Sequence, residues 1–151
     1  MTAKEYLNQA YIIDRRINMT LAKSQKLRES LYGRGQKIDD VGGGKGGDGD
    51  VIGETISKVM EYEEKASELI DKLVTARLEI EKAIQSIPDE IQREVLERRY
   101  LLFQNWESYY DTKTGEYIKG IADDMGYSPS HVYRIHGSAL NSIKMIVNES
   151  E

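Results

Sequence analysis

The chain has 151 residues, of which 39% are hydrophobic and 31% charged, and its formal net charge at pH 7 is −5. It has no cysteine, which excludes disulfides and thiolate metal sites, and the acidic balance argues against indiscriminate nucleic-acid binding. No apolar run approaches the roughly 20 residues that span a bilayer and the first residues lack a signal-peptide pattern, so we expect a cytoplasmic protein with no membrane partner.

A helical pattern runs from Ala3 to about Tyr32. Residues that suit one buried face recur at steps of three and four, and three more widen the stripe. Gly33 and Gly35 predict the end of this helix. The stripe consists of Tyr6, Ala10, Ile13, Ile17, Thr20, Ser24, Leu27 and Leu31, widened by Leu7, Tyr11 and Leu21.

A glycine-rich stretch follows at residues 33–50. A phosphate-binding loop would need a Gly-Lys-Ser/Thr run after a buried strand, which is not present. A calcium loop built on Asp48 and Asp50 would need a later glutamate, which is also missing. The composition favours a flexible connector, because glycine loses the most conformational entropy on ordering.

The second helical pattern covers residues 54–87 and has the 3–4 spacing of a coiled-coil seam. With the first helix it predicts a long antiparallel helical hairpin at residues 1–87. Glu63 and Arg77 interrupt the seam, so we expect part of the hairpin to pack on a second copy of the chain. A self-sufficient monomeric hairpin is the alternative. The predicted seam is Ile52, Ile56, Val59, Glu63, Ala66, Ile70, Leu73, Arg77, Ile80, Ile84 and Ile87.

Pro88 breaks the pattern and opens a third helix, predicted from Asp89 to Phe103. Its inward residues are predicted to be Ile91, Val95, Leu96, Tyr100 and Phe103, with Arg93, Arg98 and Arg99 at the surface. Residues 104–116 then predict a small hairpin or a widened loop. Within that stretch we expect Trp106 to pack on the core and the tyrosines to offer a partner surface.

The sequence after Tyr117 fits a helix-turn-helix. Ala122 supplies the small residue that lets two helices cross, and Gly126 supplies the left-handed turn four residues later. Ser128 suits the cap of the second helix and Pro129 its first position. The apolar residues that face inward are predicted to be Ile118, Ile121, Met125, Val132, Ile135, Ala139 and Leu140.

In this motif the start of the second helix meets base edges in the major groove. Arg134 can donate two hydrogen bonds to guanine, and residues 128–147 contain no acid. The predicted base-contacting residues are Pro129, Ser130, His131, Tyr133 and Arg134. The predicted phosphate contacts are Lys119, Tyr127, Ser128 and Lys144.

Other chemistry is not favoured by the sequence. His131 and His136 lie five residues apart, on different helix faces, so we expect no metal site. His136 is interpreted as either a packing residue or a contact residue. Asp123 and Asp124 are predicted to form a solvated face, because neighbours on a helix point about 100° apart. With no nucleophile–base pair and no cofactor loop, we expect neither an enzyme nor a bound cofactor.

Arg93–Leu101, Ile121–Ser128 and Val132–Leu140 resemble region 4 of the bacterial sigma factors. The whole chain, including its opening Met1–Leu7, is similar to the small ArpU-like regulators of phages and prophages of Gram-positive bacteria. The resemblance implies promoter-proximal DNA binding and contact with RNA polymerase, with base contacts at Pro129, Ser130, His131 and Arg134. Two departures are the proline at 129 and the long connection at 104–116.

The predicted fold is therefore all-α, with a coiled-coil-like hairpin at 1–87 and a sigma region 4-like helix-turn-helix domain at 88–151. The predicted function is regulation of transcription by a homodimer that binds double-stranded DNA. One alternative is a protein-interaction module whose helix-turn-helix no longer binds DNA, which the net charge favours. Another is a DNA-packaging adaptor, which would require a ring-shaped oligomer.

Overall fold

The computed structural model describes the backbone of residues 1–40 and 47–149 and the side chains of residues 1–32 and 50–148. This part of the protein is mostly helical, as predicted, and contains one two-stranded sheet. None of its helices is both long and apolar enough to cross a membrane. The helices are α1 (Ala3–Asp40), α2 (Gly47–Gln85), α3 (Glu90–Leu96), α4 (Ile121–Met125) and α5 (Pro129–Glu149). A π-helical segment (Glu97–Leu101) follows α3, and strands β1 (Tyr109–Tyr110) and β2 (Tyr117–Ile118) precede α4.

Both long helices extend into the predicted glycine-rich connector. Helix α1 continues past Gly33 and Gly35 to Asp40, and α2 begins at Gly47 rather than at Glu54. A glycine inside a helix costs only about 1 kcal/mol relative to alanine, and extending an existing helix is easier than starting one. The predicted stop at Gly33 is therefore wrong, and residues 41–46 of the connector lie outside the described residues.

The chain divides into two compact units. Unit 1 consists of residues 1–12 and 74–151, and unit 2 of residues 13–73. Helix α1 contributes its first residues to unit 1 and the rest to unit 2, and α2 contributes to both. These units follow packing and differ from the predicted domains 1–87 and 88–151, which stay a prediction.

The buried face of α1 follows the predicted stripe. Leu7 and Ala10 are fully buried in unit 1, and Ile17 and Ser24 are buried in unit 2. Tyr11 and Leu21, which were expected to widen the stripe, are exposed. The buried stripe of α1 is therefore narrower than the sequence pattern predicted.

The seam of α2 matches most of the prediction, including Ile80, Ile84 and Ile87 around its end, and differs at Ile56, Glu63 and Ile70, which are exposed. Val59 and Ala66 are buried as predicted, but Leu69 is buried in place of Ile70. Glu63 is exposed and pairs with Arg28 of α1. Burying Glu63 would cost more than exposing isoleucines, so the helix turns its alternative 3–4 face inward. Thr55, Tyr62 and Leu69 lie inward in place of the predicted Ile56, Glu63 and Ile70, and Ala76 and Ala83 are buried in addition.

The third predicted helix ends early. Asp89 caps α3 by accepting hydrogen bonds from the backbone N–H groups of Ile91 and Gln92, at 2.9 and 3.1 Å. Ile91, expected inward, is exposed because it lies in this first turn. The chain then passes through the π-helical segment, and Phe103 adopts a left-handed φ of 56° beyond it. Of the predicted inward residues, Val95, Leu96 and Tyr100 are buried.

Candidate nucleic-acid interface

A left-handed turn separates α4 from α5. Gly126 has φ 73° and ψ 28°, and its N–H donates toward the carbonyls of Ala122 and Asp123. The N–H of Tyr127 also donates to the Ala122 carbonyl, at 2.9 Å. These bonds satisfy carbonyls that the end of α4 would otherwise leave free. The turn predicted at Gly126 is confirmed.

Helix α5 begins as its sequence predicts. The Ser128 hydroxyl oxygen accepts a hydrogen bond from the His131 N–H at 3.2 Å, and Pro129 is the first residue of the helix. The Ser128 carbonyl accepts from the Val132 N–H at 3.1 Å. Proline fits this first position because its missing N–H would have no partner there. The turn and the cap together fix where the outward residues of α5 begin.

The two helices meet over a small buried cluster. Val95 of α3, Ile121 and Ala122 of α4, and Val132 of α5 are each at most 4% exposed. The single methyl group of Ala122 lets α5 pass close to α4. Ile135 and Met125 are partly buried against the cluster, as are Trp106 and Tyr127. The small and apolar residues predicted to lie between α4 and α5 therefore share one buried cluster, to which α3 contributes Val95.

The predicted base-contacting residues share an exposed surface at the start of α5. Arg134 lines an open groove of about 380 Å³ with His131 and with residues of α3. Among the described residues, no ion pair holds the Arg134 guanidinium. The members of this exposed surface are Pro129, Ser130, His131, Tyr133 and Arg134.

Two of these side chains also have aromatic neighbours. The His131 ring lies edge-on to Tyr127 with centroids 4.8 Å apart. The Tyr133 ring lies 5.5 Å from Trp106, although 48% of Tyr133 remains exposed. These contacts limit the positions that the His131 and Tyr133 side chains can take. Among the described residues, no ring contact of this kind restricts Arg134.

The predicted phosphate contacts do not form one cluster. Tyr127 and Ser128 lie in the turn, and Lys119 lies between β2 and α4. Lys144 is ten residues beyond Arg134 on α5, about 15 Å along the helix axis. Lys119, Ser128 and Lys144 are exposed, and Tyr127 is half-buried. Any duplex that touched Lys144 as well as the turn would have to follow α5 for several turns.

The three arginines expected at the surface are instead engaged by the fold. Arg93 donates to the Ile87 carbonyl at 2.6 Å, closing the end of α2. Arg98 pairs with Asp124 of α4 at 3.3 Å. Arg99 donates to the Gln104 carbonyl at 3.0 Å and lies over the Trp106 ring. All three are half-buried, and the sequence analysis did not predict their contacts: Arg93 and Arg99 donate to carbonyls that follow a helical segment, and Arg98 pairs with a carboxylate.

His136 is a packing residue and not a contact. Its Nε2 forms a 2.7 Å hydrogen bond with the Tyr100 hydroxyl, and its ring lies 4.6 Å from Trp106. Burial lowers the pKa of His136 to about 4, with Lys4 and Arg99 adding to the effect. Burial likewise raises the pKa of Tyr100 to about 12. Both groups are therefore neutral at pH 7, and His136 adds no positive charge to α5.

Residues 104–120 form the hairpin that was one of the two predicted outcomes. Tyr109 pairs with Ile118 and Tyr110 with Tyr117 in antiparallel register. At the tip, the Asp111 carboxylate accepts from the Lys113 N–H at 2.9 Å. Tyr109, Tyr110 and Tyr117 are exposed. We call residues 109–118 the tyrosine hairpin.

One carboxylate of the acidic pair on α4, that of Asp123, is bonded to the tyrosine hairpin. Asp123 accepts hydrogen bonds from the Ser108 hydroxyl and, at 3.0 Å, from the Tyr117 hydroxyl. These hydrogen bonds lower the pKa of Asp123. Asp124 pairs with Arg98. Both residues are exposed, as the sequence predicted, and the structure adds donors for each: Ser108 and Tyr117 for Asp123, and Arg98 for Asp124.

Gly120 has a structural role that sequence analysis missed. A Cβ atom there would lie 2.3 Å from the carbonyl carbon of Glu107. The only signal in the sequence is the glycine placed just before the predicted first helix of the motif. The described residues contain no group of three or more His, Asp or Glu side chains that would hold a metal ion.

Comparisons of the chain with protein-family models, with curated proteins and with solved structures found no match.

Proposed function

We propose that the protein is a DNA-binding regulator of transcription and that α4 and α5 are its helix-turn-helix. The observation that carries the proposal is the left-handed turn at Gly126, followed by a capped α5 whose first outward residues are exposed. In this motif the second helix enters the major groove and the first crosses the backbone. Arg134 then donates to a guanine edge from the groove-facing side of α5.

Charge is the main argument against this proposal, and the local distribution of charge answers it. The chain carries −5 overall, yet α5 has no acid before Glu149. On α4, Asp124 is paired with Arg98, and Asp123 accepts two hydroxyl hydrogen bonds. The surface that α5 offers to a duplex therefore has no acid of its own before Glu149, but Asp123 stays charged and Asp89 lines the groove beside Arg134. The net charge favours the alternative, a protein-interaction module that leaves DNA unbound.

Arg134→Ala should weaken binding to a selected duplex by about 1–3 kcal/mol and relax preference at one base pair. The duplex is selected from a random pool, and affinity is measured by fluorescence anisotropy at several salt concentrations. The folded state should be unchanged because Arg134 is exposed. Lys65→Ala, on the exposed side of α2, is the matched loss of one positive charge and should leave base preference intact.

Two outcomes would contradict the proposal. If the wild-type protein shifts no duplex even at low salt, it does not bind DNA and the protein-interaction alternative stands. If Arg134→Ala binds the selected duplex as tightly as the wild type, Arg134 does not contact bases. True phosphate contacts should also give the wild type a steep decrease in affinity with salt.

We further propose that residues 1–87 form an antiparallel hairpin that joins two copies of the chain. Support for the hairpin comes from one α1–α2 contact in each unit: the Tyr6 hydroxyl lies 3.5 Å from the Glu79 carbonyl, and Arg28 pairs with Glu63. Support for a dimer comes from α2 of unit 2, where Ile56, Met60 and Ile70 are exposed beside the seam. Exposed apolar groups aligned on one helix favour a second copy of that helix as the partner.

Ile56→Glu combined with Ile70→Glu should convert the dimer to a monomer, because four buried charges would meet at the symmetric contact. Sedimentation equilibrium measures the mass of both forms. Lys65→Glu, which makes the same change in net charge at a position about 180° around α2 from Ile56, should remain dimeric. A wild-type protein that is monomeric at all concentrations tested would contradict the proposed dimer, and a ring-sized mass would favour the packaging adaptor.

The resemblance to phage regulators adds RNA polymerase as a proposed partner. In that arrangement α5 binds DNA beside a promoter, and another exposed surface of the protein contacts the polymerase. The acidic remainder of the chain suits a protein partner better than it suits DNA.

A further inference from the structure

The tyrosine hairpin is the part of unit 1 that neither the core nor α5 explains. Its strands are two residues long, and an isolated hairpin of that size is marginally stable in water. Tyr109, Tyr110 and Tyr117 are 42%, 71% and 51% exposed, so their burial does not account for the hairpin. The exposed side chains of the hairpin, rather than its packing contacts, are therefore the feature that needs a functional explanation.

The base of the hairpin is joined rigidly to α4. The N–H groups of Ile121 and Ala122 donate to the carbonyls of Asn105 and Trp106, at 2.9 and 3.2 Å. Gly120 donates to the Ser108 hydroxyl at 2.8 Å and leaves no room for a side chain against Glu107. The position of the hairpin is therefore set by the first turn of α4.

This position is beside the proposed DNA-facing surface. In a helix-turn-helix the first helix, here α4, crosses the phosphate backbone. The hairpin extends from the beginning of that helix. At its base, the Trp106 ring contacts Tyr133, a residue of the exposed surface at the start of α5. A duplex bound by α5 would thus run past the hairpin.

The tip of the hairpin has the chemistry of a phosphate contact. Lys113 and Thr112 are exposed, and 71% of Tyr110 is accessible. Ammonium and hydroxyl groups are among the side chains that bind phosphate oxygens in protein–DNA complexes. The nearest acid, Asp111, already accepts a hydrogen bond from the turn. Glu116 is the exposed acid that remains between the strands.

We propose that the tyrosine hairpin is a second DNA contact, in which Lys113, Thr112 and Tyr110 bind backbone phosphates of the duplex that α5 occupies. This inference rests on the proposed DNA-binding function. The hairpin would fix the orientation of the protein on the duplex and add affinity without sequence preference, whereas Arg134 supplies the preference.

Lys113→Ala should lower affinity for all duplexes alike and reduce the slope of log affinity against log salt by about 1. Glu116→Lys should change the slope by about 1 in the opposite direction, a gain that damage to the fold would not produce. Anisotropy titrations with the selected duplex and with a scrambled duplex measure both variants. Lys65→Ala is the control, and melting temperatures verify that the variants are folded.

The possible outcomes separate this inference from the function on which it rests. If the wild type binds no duplex, the proposed function fails and the hairpin contact fails with it. If the wild type binds and Arg134→Ala weakens it, while Lys113→Ala and Glu116→Lys keep the wild-type slope, only the hairpin contact is wrong. In that case a protein partner for the exposed tyrosines becomes the better explanation.

Discussion

Replacing Gly120 with alanine should lower the free energy of unfolding by about 3 kcal/mol. The added methyl group would lie 2.3 Å from the Glu107 carbonyl carbon and 2.7 Å from its Cα, and neither backbone atom can move without breaking the base of the hairpin. Gly120 has φ −89° and ψ 175°, which any residue adopts, so the expected loss is entirely steric. Urea unfolding followed by the fluorescence of Trp106, the single tryptophan, measures it beside the affected site.

Gly137→Ala is the matched control for this experiment. Gly137 lies inside α5, and nothing lies within 4 Å of the Cβ that alanine would add. Alanine there should raise stability by about 0.5–1 kcal/mol, because glycine is the poorer helix former. If Gly120→Ala proves as harmless as Gly137→Ala, the close packing of the hairpin base on α4 does not exist.

Lowering the pH from 6.5 to 4 should cost about 2 kcal/mol of stability through His136 alone. Below pH 6.5 the unfolded chain takes up a proton on this imidazole, but the folded protein, with a pKa of about 4, does not. The stabilising contribution of the neutral ring is thus present above pH 6.5 and is lost as the pH falls toward 4. The full shift corresponds to about 3 kcal/mol at 1.36 kcal/mol per pKa unit, and partial solvent exposure of the ring reduces it.

His136→Gln separates this effect from the titration of carboxylates in the same range. Glutamine keeps a group that can accept a hydrogen bond from Tyr100 but cannot take up a proton. The variant should lose less stability between pH 6.5 and 4 than the wild type does, as measured by urea unfolding at each pH. His131→Gln, at the exposed histidine, should retain the wild-type dependence. Equal pH dependence in all three proteins would show that His136 does not stay neutral.

Sequence periodicity predicted the long helices and most of the α2 seam correctly. Two seams with the same 3–4 spacing were available on α2, one through Leu69 and one through Ile70. Hydrophobicity favoured the seam with more isoleucines, but that seam also contained Glu63 and Arg77. The cost of burying Glu63 decides the choice, and a pattern that counts only apolar residues does not include that cost.

The sequence predicted the end of α4 and the start of α5 well, but it did not predict the contacts of the arginines that follow α3. Gly126 and Ser128 act through local geometry, so the sequence alone predicted the turn and the start of α5. Arg98 and Arg99 lie in the π-helical segment, and their partners Asp124 and Gln104 are 26 and 5 residues away along the chain. Such contacts depend on where the chain goes after α3 and have no periodic signal. The hydrogen bond between Tyr117 of the hairpin and Asp123 could not be predicted from the sequence for the same reason.

Unit 2 is a continuous segment of the chain that is inserted between the two parts of unit 1. The backbone leaves unit 1 after residue 12 and returns to it at residue 74. In the proposed hairpin, whose seams repeat every seven residues, adding seven residues to both helices would keep their pairing in register. In the proposed dimer, such an addition outside the contact at Ile56, Met60 and Ile70 would change the spacing between the two copies in steps of about 10 Å. Under the proposed function, the separation of the two DNA half-sites would then depend on helix length and could vary independently of the bases recognised.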